Sequence, residues 1–185
     1  MDLSGKLLIA MPGMADPRFQ KSVIFLCAHS DEGAMGLVIN HPARELSFPL
    51  LLEQLSIDPG ADQGPMPVVY LGGPVEHARG FVLHSADYHG AAGTLQVDAR
   101  FGMTATQDIL EDIARGSGPH ACLLALGYSG WGPGQIETEL QENAWLVGEA
   151  NEQIVFSADS DAKWTAALAL MGIDPLTLSG AAGRA

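Results

Sequence analysis

His120-Ala-Cys-Leu-Leu-Ala-Leu-Gly-Tyr-Ser-Gly-Trp-Gly-Pro-Gly-Gln-Ile-Glu-Thr-Glu-Leu-Gln-Glu-Asn-Ala-Trp-Leu146 is the stretch on which the fold turns. Residues 121–126 are a continuous apolar run, which predicts a strand covered on both faces. Gly127, Gly130, Gly132 and Gly134 then predict a glycine-rich turn, because glycine tolerates positive φ and close backbone approach. Pro133 suits a first helical position, and Glu137 and Glu139 fall in the early turns, where the helix dipole favours carboxylates. A strand-to-helix turn carrying Tyr128, Ser129 and Trp131 is a natural place for a site.

Upstream, residues 6–10, 22–29 and 34–40 read as strands, the last two joined by the turn-forming tetrad Ser30-Asp31-Glu32-Gly33. A short helix is predicted after Ser47, with Leu51, Leu52 and Leu55 on one face, then a flexible loop over 58–67. Residues 68–71 and 80–85 read as a strand pair joined across Gly72-Gly73-Pro74, and 94–97 as a weaker strand. Thr104 and Gln107 form the ends of a capping box that opens an amphipathic helix facing inward with Ile109, Leu110 and Ile113 and ending at Gly116. Downstream, 144–149 and 153–156 read as strands. Ser160 then caps a last helix carrying Trp164, Ala167, Leu168 and Met171, and the tail from about 178 is expected to fray. Strand pairs with irregularly interspersed helices predict a mixed-sheet α+β single domain spanning 1–185, not a regular βαβ alternation.

The totals set bounds on function. A chain of 185 residues buries about 70% of its unfolded surface. It carries 22 acidic and 9 basic residues, a formal net charge of −13, and the basic ones are scattered. Clustered Lys and Arg supply the affinity for phosphate, so direct nucleic-acid binding and anionic membrane surfaces are both disfavoured. Cys27 and Cys122 lie in apolar runs and read as small core residues, with no Cys-x-x-Cys motif. The apolar stretch at residues 7–11 is cut by Pro12, too short for a signal-peptide core, which predicts a cytoplasmic protein.

No catalytic constellation is complete. Gly116-Ser-Gly-Pro-His-Ala121 matches a dinucleotide fingerprint, but it follows a helix and precedes a strand, the inverse of the required context. Gly127-Tyr-Ser-Gly-Trp131 resembles a nucleophile elbow with Trp131 where glycine is needed. Asp159-Ser-Asp161 begins like a calcium loop, with Trp164 at its glycine position. Cys27 and His29, two apart on a strand, would share a face and could form a thiolate–imidazolium or metal pair. Gly72-Gly73-Pro74 could aim amides at an anion, with Arg79 near. Histidine spacing shows no zinc pattern, so no metal and no cofactor is expected.

Gly5-Lys-Leu-Leu-Ile-Ala-Met-Pro12, Ser22-Val-Ile-Phe-Leu-Cys27, Gly33-Ala-Met-Gly-Leu-Val-Ile-Asn40, Gly72-Gly-Pro-Val75, Arg79-Gly-Phe-Val-Leu-His84 and Ala125-Leu-Gly-Tyr-Ser-Gly-Trp131, with Gln135 and Glu139, together resemble the YqgE/AlgH family of bacterial proteins. His41 stands where that family often has arginine, and Ser129 where alanine is common, so neither is a candidate for shared chemistry. The resemblance implies an α+β domain with a mixed, largely antiparallel, partly barrel-like sheet and helices packed outside it. It implies a cytosolic protein with no established catalytic residues, and, in part of the family, a proposed role in regulating alginate synthesis that is sometimes glossed as transcriptional. The leading expectation is a non-enzymatic regulatory or protein-interaction domain whose surface comprises Asn40, Arg79, Tyr128, Trp131, Gln135 and Glu139. The alternative is an enzyme or small-molecule binder in the same pocket, with Arg79 and Tyr128 fixing an anionic group and Glu137 or Glu139 as general base.

Overall fold

In the computed structural model, residues 1–61, 66–90 and 92–178 are described; the tail beyond 178 and the middle of the predicted 58–67 loop lie outside them. Strands β1 (Lys6–Ala10), β2 (Val23–Ser30) and β3 (Gly33–Val38) form where the alternation and apolar runs put them, and Asp31 and Glu32 alone make the β2–β3 turn. Helix α1 (Phe48–Gln54) is capped by Ser47, whose hydroxyl accepts the Leu50 N–H at 3.3 Å. Then come β4 (Val69–Leu71), β5 (Val75–Ser85), β6 (Thr94–Gln96), β7 (Phe101–Thr104) and α2 (Asp108–Ala114). The chain continues through β8 (Cys122–Trp131), α3 (Gln135–Gln141), β9 (Trp145–Glu149), α4 (Glu152–Val155) and α5 (Lys163–Leu170).

The strands form one mixed sheet in the order β6-β7-β5-β8-β3-β2-β1-β9, with β4 added beside β8. All its pairings are antiparallel except β4 with β8. The sheet curls into a half-barrel with helices against it, the α+β class expected.

Several local expectations fail for physical reasons. The glycine-rich turn after Leu126 is shorter than its glycines imply: β8 continues to Trp131, pairing first with β5 and then with β3, and only residues 132–134 turn the chain into α3. Gly127 at φ +73° lets the strand bend without ending. Residues 68–71 and 80–85 do not pair with each other, because β4 and β5 both pair with β8. Gly72-Gly73 is therefore a backbone crossing, with the Gly72 N–H given to Leu126 O at 2.8 Å and unavailable to an anion. Strand β7 takes Thr104 out of the predicted capping box. Thr104 is fully buried and hydrogen-bonds His84 Nε2 at 2.8 Å, while α2 starts without a side-chain cap.

Residues 153–155 are helical and Phe156 caps them, so 153–156 is not extended: Asn151 Oδ1 accepts the Ile154 N–H at 2.8 Å and nucleates a turn. Ser160 does not cap α5; its hydroxyl faces the Tyr70 phenol at 3.1 Å, and Asp159 takes the Ala162 N–H. Pro133 lies just outside α3, whose N-cap is the left-handed Gly134.

Alternation along β1 explains the layering. Leu7 and Ile9 join a core shared with α4 and α5, while Leu8 and Ala10 join a second core with Trp131, Ile136 and Trp145. Phe48, Leu52, Ile109 and Leu110 of α1 and α2 cover the outer face of β4, β5 and β8 as a third cluster. Strand β8 contributes to all three, so the predicted two-sided burial of 121–126 holds. The site is built where β8 leaves the sheet and α3 begins.

Candidate functional site

At that junction Trp131 ends β8 and Glu139 lies one helical turn beyond Gln135 on α3. The Glu139 carboxylate accepts three hydrogen bonds: Trp131 Nε1 at 2.8 Å, Trp145 Nε1 at 2.9 Å and Gln135 Nε2 at 3.2 Å. Gln135 Oε1 in turn accepts the Gly132 N–H at 3.0 Å, which fixes the entry to the helix. The two indoles meet edge to face at 6.3 Å, and Phe19 stacks edge-on against Trp145 at 5.7 Å. Phe19 comes from a short 3-10 turn, Pro17–Phe19, opened by Asp16.

These groups wall a cleft of about 680 Å³ that is also lined by Met11, Met14, Val75 and Glu142. Its charged lining is three carboxylates, Asp16, Glu139 and Glu142, against one cation, Arg18. Arg18 is already engaged by Asp16 at 2.7 Å, and that pairing holds the Asp16 carboxyl below its usual range. The described lining holds no Ser, Cys, His or Lys, and what it offers a ligand is apolar faces and negative charge.

Of the six residues singled out in the sequence, the cleft gathers Trp131, Gln135 and Glu139 and not the other three. Asn40 is buried and its amide is spent on backbone, accepting Val23 N–H at 2.9 Å and donating to Lys21 O at 2.8 Å. Arg79 is exposed on the bulge of β5, paired with Glu76 at 3.4 Å and stacked on Phe81. Tyr128 is half-buried against the same Phe81 ring. Glu137, offered as a general base, faces away and binds His29 Nε2 at 2.8 Å. Ser129 is buried and donates to Gly72 O at 3.3 Å.

Cys27 and His29 do not form a pair. A bulge at Leu26/Ala28 breaks the alternation between them, Cys27 enters the core, and burial pushes its thiol up to about 12. His29 instead receives the Leu3 N–H on Nδ1 at 3.1 Å. Among the described residues no cluster of His, Cys, Asp and Glu has the form of a metal site, and no helix is long and apolar enough to cross a membrane.

Sequence reasoning missed Phe19 and Trp145 as cleft walls. The available signal was Glu139 midway between two tryptophans, eight residues after one and six before the other. It also missed Lys163 and Tyr70, which lie on a different cavity.

A model of the AlgH-like family matches residues 7–176. A UPF0301 protein of Cereibacter sphaeroides is 62% identical over 185 residues, all of both chains, and one of Ruegeria pomeroyi is 60% identical over the same span. The solution structure of the AlgH protein from Pseudomonas aeruginosa is 42% identical with a TM-score of 0.78, covering 100% of this chain and 97% of that one. A crystal structure of a Corynebacterium diphtheriae protein, covering 96% of this chain and 92% of its own, has a TM-score of 0.77; at 20% identity that likeness speaks to the fold alone.

Proposed function

This chain belongs to the AlgH-like family, and from that membership we propose that it is a cytoplasmic, non-enzymatic interaction domain that captures a basic, apolar-flanked segment of a partner protein in the Trp131–Trp145 cleft. The observation that carries the reading is the acidic, aromatic lining itself. The half-buried Phe19 ring and the carboxylates, over a floor made by the buried indoles, together attract guanidinium and ammonium groups, and the whole-chain charge of −13 draws cationic partners from a distance. The Glu139 carboxylate, pinned by two indoles, keeps a fixed negative charge beside a fixed apolar wall, a preorganised recognition surface. A regulatory role of the kind proposed for part of the family would then run through the captured partner. The alternative of an enzyme built on Arg79, Tyr128 and a glutamate loses support, since Arg79 and Tyr128 lie off the cleft and Glu137 is paired with His29.

The test is tryptophan fluorescence during titration with a short Arg/Leu peptide and with its Glu/Leu counterpart. Two of the three tryptophans line the cleft, so binding there perturbs their emission. Saturable change with the basic peptide only, lost in Glu142→Lys with the melting temperature retained, is expected. Equal response to both peptides, or none to either, defeats the proposal. Glu142 is the better probe because it is exposed, whereas Trp131→Ala empties a core position.

A further inference from the structure

Lys163 is one of three lysines in the chain and is 1% exposed. No ion pair among the described residues includes it. Its Nζ donates to Ile39 O at 2.7 Å, to Val155 O at 2.8 Å and to the Tyr70 hydroxyl at 3.2 Å. Tyr70 is also 3.1 Å from Ser160 Oγ, so Ser160, Tyr70 and Lys163 form a hydrogen-bonded chain. Lys163 and Tyr70 both line a cavity of about 400 Å³, separate from the acidic cleft, whose walls are mostly apolar: Met66, Val68, Leu123 and Phe156 among them.

We propose that this cavity is an imine-forming site for a small carbonyl compound, an aldehyde or an α-oxo acid, with Lys163 Nζ as nucleophile and Tyr70 as the adjoining acid. The proposal is independent of the acidic cleft and its occupant. A lysine desolvated among apolar walls, without a counter-ion, is the environment that activates the amine. Burial pushes Lys163 down to about 7, so its neutral form is populated at neutral pH. In that form Nζ has one donor fewer and a free lone pair, and the Tyr70 hydroxyl can reverse to donate to the lone pair or to a substrate oxygen. Burial holds the Tyr70 phenol above its usual value, so it is protonated at neutral pH. The other titratable groups on the cavity are His120 and Cys122, and burial pushes the Cys122 thiol up to about 12, which leaves it a poor competitor.

The step balances without a redox partner. The Nζ lone pair forms a bond to the carbonyl carbon, and the carbonyl π pair moves to oxygen, which takes the Tyr70 proton. Nζ returns one proton to Tyr70, giving a neutral carbinolamine. That hydroxyl leaves as water with a second proton from Tyr70, and the remaining Nζ proton restores the phenol as C=N forms. Amine and carbonyl thus give imine and water.

The experiment incubates the full chain at pH 7 with cyanoborohydride and either pyruvate or butanal, then maps labelled peptides. Lys6 and Lys21 are the internal reference, since the chain has no other lysines. Expected is a secondary amine at Lys163 in at least tenfold excess over those two, the faster probe telling oxo acid from aldehyde. Tyr70→Phe should slow labelling at Lys163 on the order of a hundredfold while leaving the reference lysines unchanged. Label confined to Lys6, Lys21 and the amino terminus with both probes overturns the proposal and makes Lys163 a structural tie between α5 and the sheet. The wild-type map decides this even if a substituted chain fails to fold.

Discussion

A carboxylate that accepts two indole N–H groups cannot be removed without orphaning both donors. Glu139→Ala should therefore cost about 1–3 kcal/mol, read as a lowered urea midpoint with tryptophan emission as probe. Lys163 makes a prediction of opposite flavour. Its folded value is about 7 against an ordinary 10.5, so between these values the unfolded chain holds the extra proton and stability rises with pH. Below about 7 both states are protonated and the contribution is flat. Cys27, Cys122 and Tyr70, all raised by burial, act in the opposite sense from about pH 9 upward, so the clean window is roughly pH 7 to 9. Urea midpoints should climb across that window in the wild type and lose much of the slope in Lys163→Arg, whose guanidinium stays charged throughout. Trp131, Gln135 and Glu139 were legible in the family-like block that runs from Ala125 through the start of the next helix, and a carboxylate in the early turns of a helix is a local property. Lys163 stayed hidden because a charged residue on an amphipathic helix reads as solvent-facing, and its partners, Ile39 just past β3, Tyr70 of β4 and Val155 of α4, are brought to it by the fold.

At the scale of the element, glycine has two uses that look alike in a sequence. The run from Gly127 to Gly134 reads as a turn, yet its first member bends a strand and packs against another backbone. A Cβ on Gly127 would stand 2.8 Å from Gly73 O and Val75 O, and one on Gly73 would stand 2.2 Å from the Tyr128 carbonyl carbon. Neither obstacle is a side chain that can rotate away. Gly73→Ala should destabilise by more than about 3 kcal/mol, or abolish folding, in a thermal melt. Gly80→Ala, whose new methyl would meet nothing nearer than the Leu124 Cδ1 at 3.5 Å, should stay within about 1 kcal/mol of wild type. Equal losses in the two variants would contradict the crossing. Strand existence was legible from local pattern for β1, β2 and β3, whereas the partnering of β4 and β5 was not, since both are claimed by a strand some fifty residues downstream.

For the molecule as a whole, the basic residues are mostly spoken for. Lys6, Arg18, Arg79, Arg100 and Arg115 each face a carboxylate, and Lys163 is buried. With a net charge of −13, no duplex DNA should be retarded even at about 50 mM salt; a gel shift that weakens as salt is added would reverse that conclusion. The α+β class could be read from the irregular mixture of strand pairs and helices, because class depends on local patterns. The strand order could not, because it rests on contacts across the length of the chain. That order governs how the protein can be made. Until β8 has emerged from the ribosome, β3 and β5 each wait with an open edge, and β1 waits longer still, for a partner whose Glu149 follows Lys6 by 143 residues. Nascent chains halted before β8 would present those unsatisfied edges to their neighbours, so the half-barrel closes late in synthesis and all but at once.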